Sequence, residues 1–261
     1  MDFREFAVMY RAEGQHWWYR GLRAMLFRRT GLDDPASRAW TILDAGCGTG
    51  GNLSALRAGG HTHAQGFDYA ESAVHFCRQR GLHNVRQASI TAMPYLDNEF
   101  DLVYSCDVLC DSGTSSEAVA LAELYRVTRP GGRLFLNLPA YAFLRSEHDA
   151  ATDVDRRYTR RQIRRMVAAA GWRVERISHW NATLFPVVVA VRLARKRGKA
   201  HDRSAARSDI QVPPAPLNGL LTAIVRAESR LMDRVTIPWG SSIICLARKP
   251  GRPRKGNTNQ L

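Results

Sequence analysis

The segment Ile42-Leu43-Asp44-Ala45-Gly46-Cys47-Gly48-Thr49-Gly50-Gly51-Asn52-Leu53 constrains the fold more than any other part of this 261-residue chain. An apolar run ends in an acid, glycines alternate, and helix-forming residues resume. That order describes a strand breaking into a tight turn at the mouth of a helix. Without a Cβ, glycine lets the backbone take positive φ and lets a ligand approach closely. The helix N-terminal amides then point at whatever the loop holds.

Two nucleotide-like ligands compete for such a loop. Gly46, Gly48 and Gly51 satisfy the dinucleotide spacing G-x-G-x-x-G, and Asp68 follows at the distance expected of a ribose-binding acid. Asp44 favours the other ligand: a carboxylate at the strand end repels a pyrophosphate and attracts a cationic amino-acid head group.

Short apolar runs at 41–44, 64–67, 85–88, 101–106 and 133–138 predict buried parallel strands, with helices near 52–58, 71–80 and 116–127 between them. Pro130-Gly131-Gly132 stops the third of these helices and turns the chain into the next strand. A helix near 160–170, a strand at 172–177 and a last strand at 241–247 follow. The two final strands are separated by more chain than a hairpin needs, and 184–196 and 217–234 within it read as helices. This is βαβ order, in which ligands sit at the carboxyl ends of the strands.

Four blocks in register resemble the class I S-adenosylmethionine-dependent methyltransferase superfamily, in its small-molecule branch. They are Asp44-x-Gly46-x-Gly48-x-Gly50, Gly66-Phe67-Asp68, Phe100-Asp101-Leu102-Val103 and Arg126-Val127-Thr128-Arg129-Pro130-Gly131-Gly132. The resemblance spans residues 38–180 and implies an α/β fold, a Rossmann-like seven-stranded, mostly parallel sheet with helices on both faces. Around that core it leaves an N-terminal helical lid (1–37), a helical cap insertion (181–239), the last core strand (240–249) and a disordered basic tail (250–261).

The resemblance also implies the cofactor S-adenosyl-L-methionine and the product S-adenosyl-L-homocysteine. Asp44, with backbone carbonyls around Gly46 and Cys106, would hold the methionine ammonium, beside Cys47 and Gly48 of the loop. Asp68 would accept the ribose hydroxyls, or cap the following helix, or both; Tyr69 would wall the adenine. Ser89, beside Ile90, stands where the superfamily usually carries an acid for the adenine amino group. Asp107 would face the methyl group, and Arg20 in His16-Trp17-Trp18-Tyr19-Arg20 would pair with the methionine carboxylate. For Trp17 and Trp18 the reading is a lid helix packed on the sheet.

In Ser146-Glu147-His148-Asp149, His148 leads as a base for an acceptor that must lose a proton, with Asp149 beside it; ordering of the loop is the competing role. Tyr158, in Arg156-Arg157-Tyr158-Thr159, would orient the substrate or cap the site. The chain departs from its relatives in carrying Asp111 and Val154 where many or some place histidine, and it lacks an Asn/Asp-Pro-Pro-Tyr motif.

The net charge of +14 comes almost entirely from arginine and favours anionic partners. Gly251-Arg252-Pro253-Arg254-Lys255 has the core of a minor-groove segment, yet a basic, arginine-rich tail produces it readily, so nucleic acid is not the expected partner. The run 184–197 is apolar and then basic, as in a lid helix with a solvated end or a helix lying on an anionic membrane. Five scattered cysteines argue against a disulfide framework and, with no Cys/His partners near Cys106 and Cys110, against zinc; no metal is expected. The N-terminus lacks a secretory apolar core, which predicts a cytoplasmic protein. The expected function is methyl transfer to an O, N or C nucleophile of a small, hydrophobic or secondary-metabolite acceptor. The alternatives are a nucleic-acid methyltransferase and a cofactor-binding cyclase or regulator that does not methylate.

Overall fold

A computed structural model describes residues 1–111, 114, 116–196 and 210–251. The chain opens on α1 (Phe3–Ala12) and α2 (Trp17–Thr30). Asp2 caps α1 by accepting the Glu5 amide, and His16 caps α2 by accepting the Trp18 amide at Nδ1. There follow β1 (Ile42–Ala45), α3 (Gly51–Ala58), β2 (Ala64–Asp68), α4 (Glu71–Gln79), β3 (Val85–Gln87) and β4 (Phe100–Cys106). The second half holds α5 (Glu117–Val127), β5 (Thr128–Pro139), α6 (Glu147–Ala151), α7 (Arg160–Ala169), β6 (Arg173–Trp180), α8 (Phe185–Lys196), α9 (Ala215–Leu231) and β7 (Ser242–Arg248).

The strands form one seven-stranded sheet in the order β3-β2-β1-β4-β5-β7-β6. Pairings from β3 to β5 are parallel, and β7 runs antiparallel to both β5 and β6. Side chains alternate across it. Leu43, Val103, Leu134 and Leu136 enter one buried cluster with α5 and α7. Ile42, Leu102, Tyr104, Phe135 and Ile244 enter the other, with α2, α3 and α4. The predicted seven-stranded α/β architecture is therefore present.

Two boundaries differ from expectation. Pro130-Gly131-Gly132 does not precede the fifth strand but lies within it, because Thr128 already pairs with Phe100; the register slips just afterwards, with Gly131 at φ 82°. The sixth strand continues past Ile177 to Trp180, since β7 offers partners along that whole length.

The added helices pack on the core through apolar contacts. On α1, Phe6 meets Ala73 and Phe76 of α4. The α2 and α9 axes approach closely at Gly21, where a Cβ would come within 2.5 Å of Val225 Cγ2. Among the described residues no helix is long and apolar enough to cross a membrane. The predicted basic tail lies outside the described residues from 252 onward.

Candidate active site

The carboxyl ends of the strands open on a cavity of about 870 Å³. Its floor begins at the loop between β1 and α3, where Gly46, Gly48 and Gly50 take φ of 86°, 54° and 84°. Any side chain is strained there, and at Gly46 a Cβ would come within 2.2 Å of Val108 Cγ2. Asp68 closes the loop from β2: Oδ2 accepts the Gly48 amide (2.8 Å) and Oδ1 accepts the Ala70 amide (3.0 Å). Burial raises its carboxyl above the ordinary range, and these two amide bonds oppose the rise. Each oxygen keeps a second lone pair, so the capping role leaves room for a ligand hydroxyl.

The N-terminal helices reach this loop directly. Buried Glu13, just after α1, accepts the Thr49 hydroxyl and the Arg80 guanidinium (2.7 Å to Nη2), while Arg80 also bonds the Thr49 carbonyl (2.8 Å). Met9, Trp17, Trp18 and Tyr19 line the cavity above. The ring of Trp18 lies 5.7 Å from that of Trp180, so this tryptophan both packs on the sheet and faces the space.

At the far side of the loop, Asp107 follows β4 at φ 59° and lines the cavity. Trp180 Nε1 donates to Asn137 Oδ1 (2.7 Å), and Asn137 Nδ2 donates to Asp107 Oδ2 (2.9 Å). The indole thereby fixes which way the amide faces, and the amide fixes the carboxylate. Burial pushes the Asp107 carboxyl up to about 7, against the Asn137 bond and the charge of Arg157, with the Asp149 charge adding to the rise.

The other residues singled out from sequence divide by position. Gly46, Cys47, Gly48, Asp68, Tyr69, Ser89, Ile90, Cys106, Asp107 and Asp149 all line the one cavity. Tyr69 is 72% exposed beside Asp68, as a wall of an open pocket would be. The Ser89 hydroxyl is shared with Thr91 Oγ1 (2.8 Å). Asp44 lies beneath the floor rather than on it, buried, with Oδ2 accepting the Tyr104 hydroxyl (2.8 Å). Burial lifts its carboxyl to about 8. Arg20 and Tyr158 do not line the cavity. The Tyr158 hydroxyl turns inward, donating to the Leu109 carbonyl (2.9 Å) and Glu117 Oε1 (3.2 Å). Asp149 meets Arg157 in a two-pronged pair, Nε to Oδ2 and Nη2 to Oδ1, both 2.6 Å. His148 sits on α6, and its side chain lies outside the described residues.

Sequence reasoning missed Asn137, Trp180 and Arg157. A lone amide in the apolar run Leu136-Asn137-Leu138 was the available signal, since a buried polar side chain requires a partner.

Residues 43–136, β1 through most of β5, match the family profile described as a methyltransferase domain. These residues therefore carry a methyltransferase domain. Malonyl-[acyl-carrier protein] O-methyltransferase of Serratia marcescens is 36% identical over 115 residues, 44% of either chain. 24-methylenesterol C-methyltransferase 2 of Arabidopsis thaliana is 35% identical over 101 residues, 34% of this chain and 26% of that one. The matched segment thus spans less than half the length of these curated relatives. Among solved structures, the [4+2]-cyclase SpnF superposes with a TM-score of 0.56 at 23% identity, covering 90% of this chain and 82% of that one. Geranyl diphosphate C-methyltransferase of Streptomyces coelicolor A3(2) gives 0.57 at 15% identity, over 87% and 78%. These last two likenesses are of fold.

The superfamily that the sequence resembles uses S-adenosyl-L-methionine, and the geometry of this loop fits that group. Three positive-φ glycines leave a cradle that side chains would fill, a buried carboxylate closes it, and an exposed aromatic ring stands beside that carboxylate.

The buried acids make stability depend on pH. A carboxyl whose folded pKa is raised favours folding below its unfolded pKa and loses that contribution as pH climbs through the folded value. For Asp44 and Asp107 that loss runs from the ordinary carboxylate range up to about 8 and about 7. Thermal unfolding of the cofactor-free protein at pH 5 and pH 9 is expected to show a smaller loss of Tm in Asp44→Asn than in wild type. An identical loss in both would remove Asp44 from the balance.

Proposed function

We propose that the chain is an S-adenosylmethionine-dependent methyltransferase acting on an O, N or C nucleophile of a small, hydrophobic acceptor. One observation carries the reading: a single cavity is lined by the glycine loop and Asp68, by Asp107, and by the apolar side chains Leu144, Val188, Ile210 and Pro213. The first group suits the cofactor, the last an apolar acceptor, and Asp107 stands with both.

In this reading Gly46, Cys47 and Gly48 hold the cofactor backbone to backbone, Asp68 accepts its ribose hydroxyls, and Tyr69, Ser89 and Ile90 border its adenine. Asp44, neutral beneath the loop in the cofactor-free protein, would ionise once a cationic head group stands above it, and Cys106 offers its carbonyl. Bound there, the cofactor supplies an electrophilic methyl group. The protein's own work is to orient the acceptor, exclude water and take up a proton where the acceptor has one to lose. Asp107 is the group best placed for the proton. Asn137 and Trp180 orient it, and its raised pKa matches neutral pH. Asp149 is committed to Arg157 and serves as a positioning residue. The role first given to His148 passes to Asp107, while Arg20 and Tyr158 act from outside the cavity.

The relatives above are named for acting on malonyl-[acyl-carrier protein], 24-methylenesterol and geranyl diphosphate. They agree with the proposed acceptor class in being methylated at O or C. Five free cysteines suit a reducing compartment, the cytoplasm, and the basic, apolar-faced cap suits peripheral contact with a membrane. The test is incubation of the purified protein with methyl-labelled S-adenosylmethionine and extract of its source organism. Label is expected in an organic-soluble small molecule. Label in nucleic acid would overturn the reading. Tight binding of S-adenosylhomocysteine with no label in any fraction would favour a protein that uses the cofactor without methyl transfer.

A further inference from the structure

Helix α9 is folded with its polarity reversed. Its buried positions are Asn218, Thr222, Val225, Glu228 and Ser229, four of them polar. Each of the two strongest is satisfied inside the protein. Asn218 accepts the Trp17 amide (2.9 Å) and donates to the Gln15 carbonyl (2.9 Å). Glu228 accepts the amides of Ala182 (2.9 Å to Oε2) and Thr183 (3.1 Å) and the Thr183 hydroxyl (3.0 Å).

The leucines face outward. Leu217, Leu220 and Leu231 are 48%, 59% and 54% exposed. With half-buried Ile224 and exposed Ala227 they form one stripe, within about 80° of arc at the helical repeat. Past the helix, Val235 (43%) and Trp239 (53%) are exposed as well. A single exposed leucine needs no explanation, whereas a continuous stripe marks a surface that something covers.

Charge decides what covers it. Arg230 and, just past the helix, Arg234 stand exposed on one flank of the stripe, with Arg226 further round, and no ion pair holds any of them among the described residues. A second copy of a chain with net charge +14 would bring like charge against like. An anionic bilayer offers hydrocarbon for the leucines and headgroup phosphates for the arginines, the arrangement of helices that lie in an interface. On α8, Val187 and Val191 are also exposed (61% and 44%), while Val188 and Arg192 of the same helix line the cavity. The insertion that carries the stripe also supplies part of the cavity wall, through α8 and through Ile210 and Pro213 just before α9.

We propose that the exposed stripe of α9, with its arginine flank, docks the protein on an anionic lipid bilayer, from which a membrane-dissolved acceptor reaches the cavity. The docking deepens the hydrophobic-acceptor reading given above, but the surface can be tested without it.

The test is co-sedimentation of the full chain with vesicles of phosphatidylcholine alone and of equal phosphatidylcholine and phosphatidylglycerol. Sedimentation with the anionic vesicles is expected, weakening in high salt. The combined Leu217→Gln, Leu220→Gln, Leu231→Gln variant should lose at least about tenfold in partitioning. Arg230→Gln and Arg234→Gln should each lose about fivefold. All five positions are exposed, and an unchanged Tm with unchanged S-adenosylhomocysteine binding is required of each variant. Equal binding to both vesicle types, no binding to either, or anionic binding that survives the leucine changes would overturn the proposal. So would a wild-type dimer that dissociates on those same changes without vesicle binding. Failure of wild type to bind S-adenosylhomocysteine would instead sink the methyltransferase reading, and the vesicle result would still stand.

Discussion

Asp107→Asn is expected to lower the rate of methyl transfer by about 10²–10⁴-fold, the range of a lost general base, with S-adenosylhomocysteine affinity unchanged. The amide keeps the shape and can still meet Asn137, but it cannot accept a proton. The pH dependence separates this role from simple positioning. A base must be ionised to act, so the wild-type rate should climb through the carboxyl's value of about 7 and level off above it. In Asp107→Asn that limb should vanish and leave a flat residual rate. Groups facing Asp107 are Tyr19 from α2, Cys106 and Cys110 on either side, and Asp149 and Arg157 from the other wall. Burial pushes the tyrosine and both thiols upward, away from neutral pH, so none of them should supply that limb. The measurement uses the labelled acceptor recovered from extract, over pH 5–9. A variant that keeps wild-type rate, or the same limb, would return the proton to another group. Trp180→Phe should give a milder form of the same defect, because Asn137 then loses the donor that fixes its orientation.

Arg157→Met is expected to cost about 3–5 kcal/mol of stability, the penalty for leaving a buried carboxylate without its partner. Asp149 is 1% exposed and Arg157 meets both of its oxygens, while Arg192 stands further off at 3.5 Å. Arg157 also donates to the Ala140 carbonyl (2.9 Å), so it ties α6 to the end of β5. For a chain of this size the loss corresponds to a fall in Tm of about 6–20 °C. Urea unfolding measures it, and Asp149→Leu in the same protein should restore most of the difference, since no charge is then left buried. A loss below about 1 kcal/mol would place the pair among weak surface bridges instead.

The parts of this protein that were legible in its sequence are local. The run from Ile42 to Leu53 announces a strand, a turn and a helix because each residue's backbone preference is satisfied by its immediate neighbours. Asp68 is legible for the same reason, since its carboxylate bonds amides at Gly48 and Ala70 on the loop it closes. The antiparallel last pair of strands and the extra length of β6 depend instead on which strands meet across the sheet.

Tertiary structure alone decided the setting of Asp107 and the outer face of α9. Asp107 acquires its orientation from Asn137, thirty positions away, and Asn137 from Trp180, forty-three further on. Nothing in Cys106-Asp107-Val108 encodes that chain of bonds. Hydropathy would turn the leucines of α9 inward and its polar residues out. The structure does the reverse, because the amides of Trp17, Ala182 and Thr183 and the Gln15 carbonyl need partners where α9 lies, and only polar side chains provide them. Local propensity depends on neighbours along the chain, whereas the burial and partner of a side chain depend on what folding brings beside it.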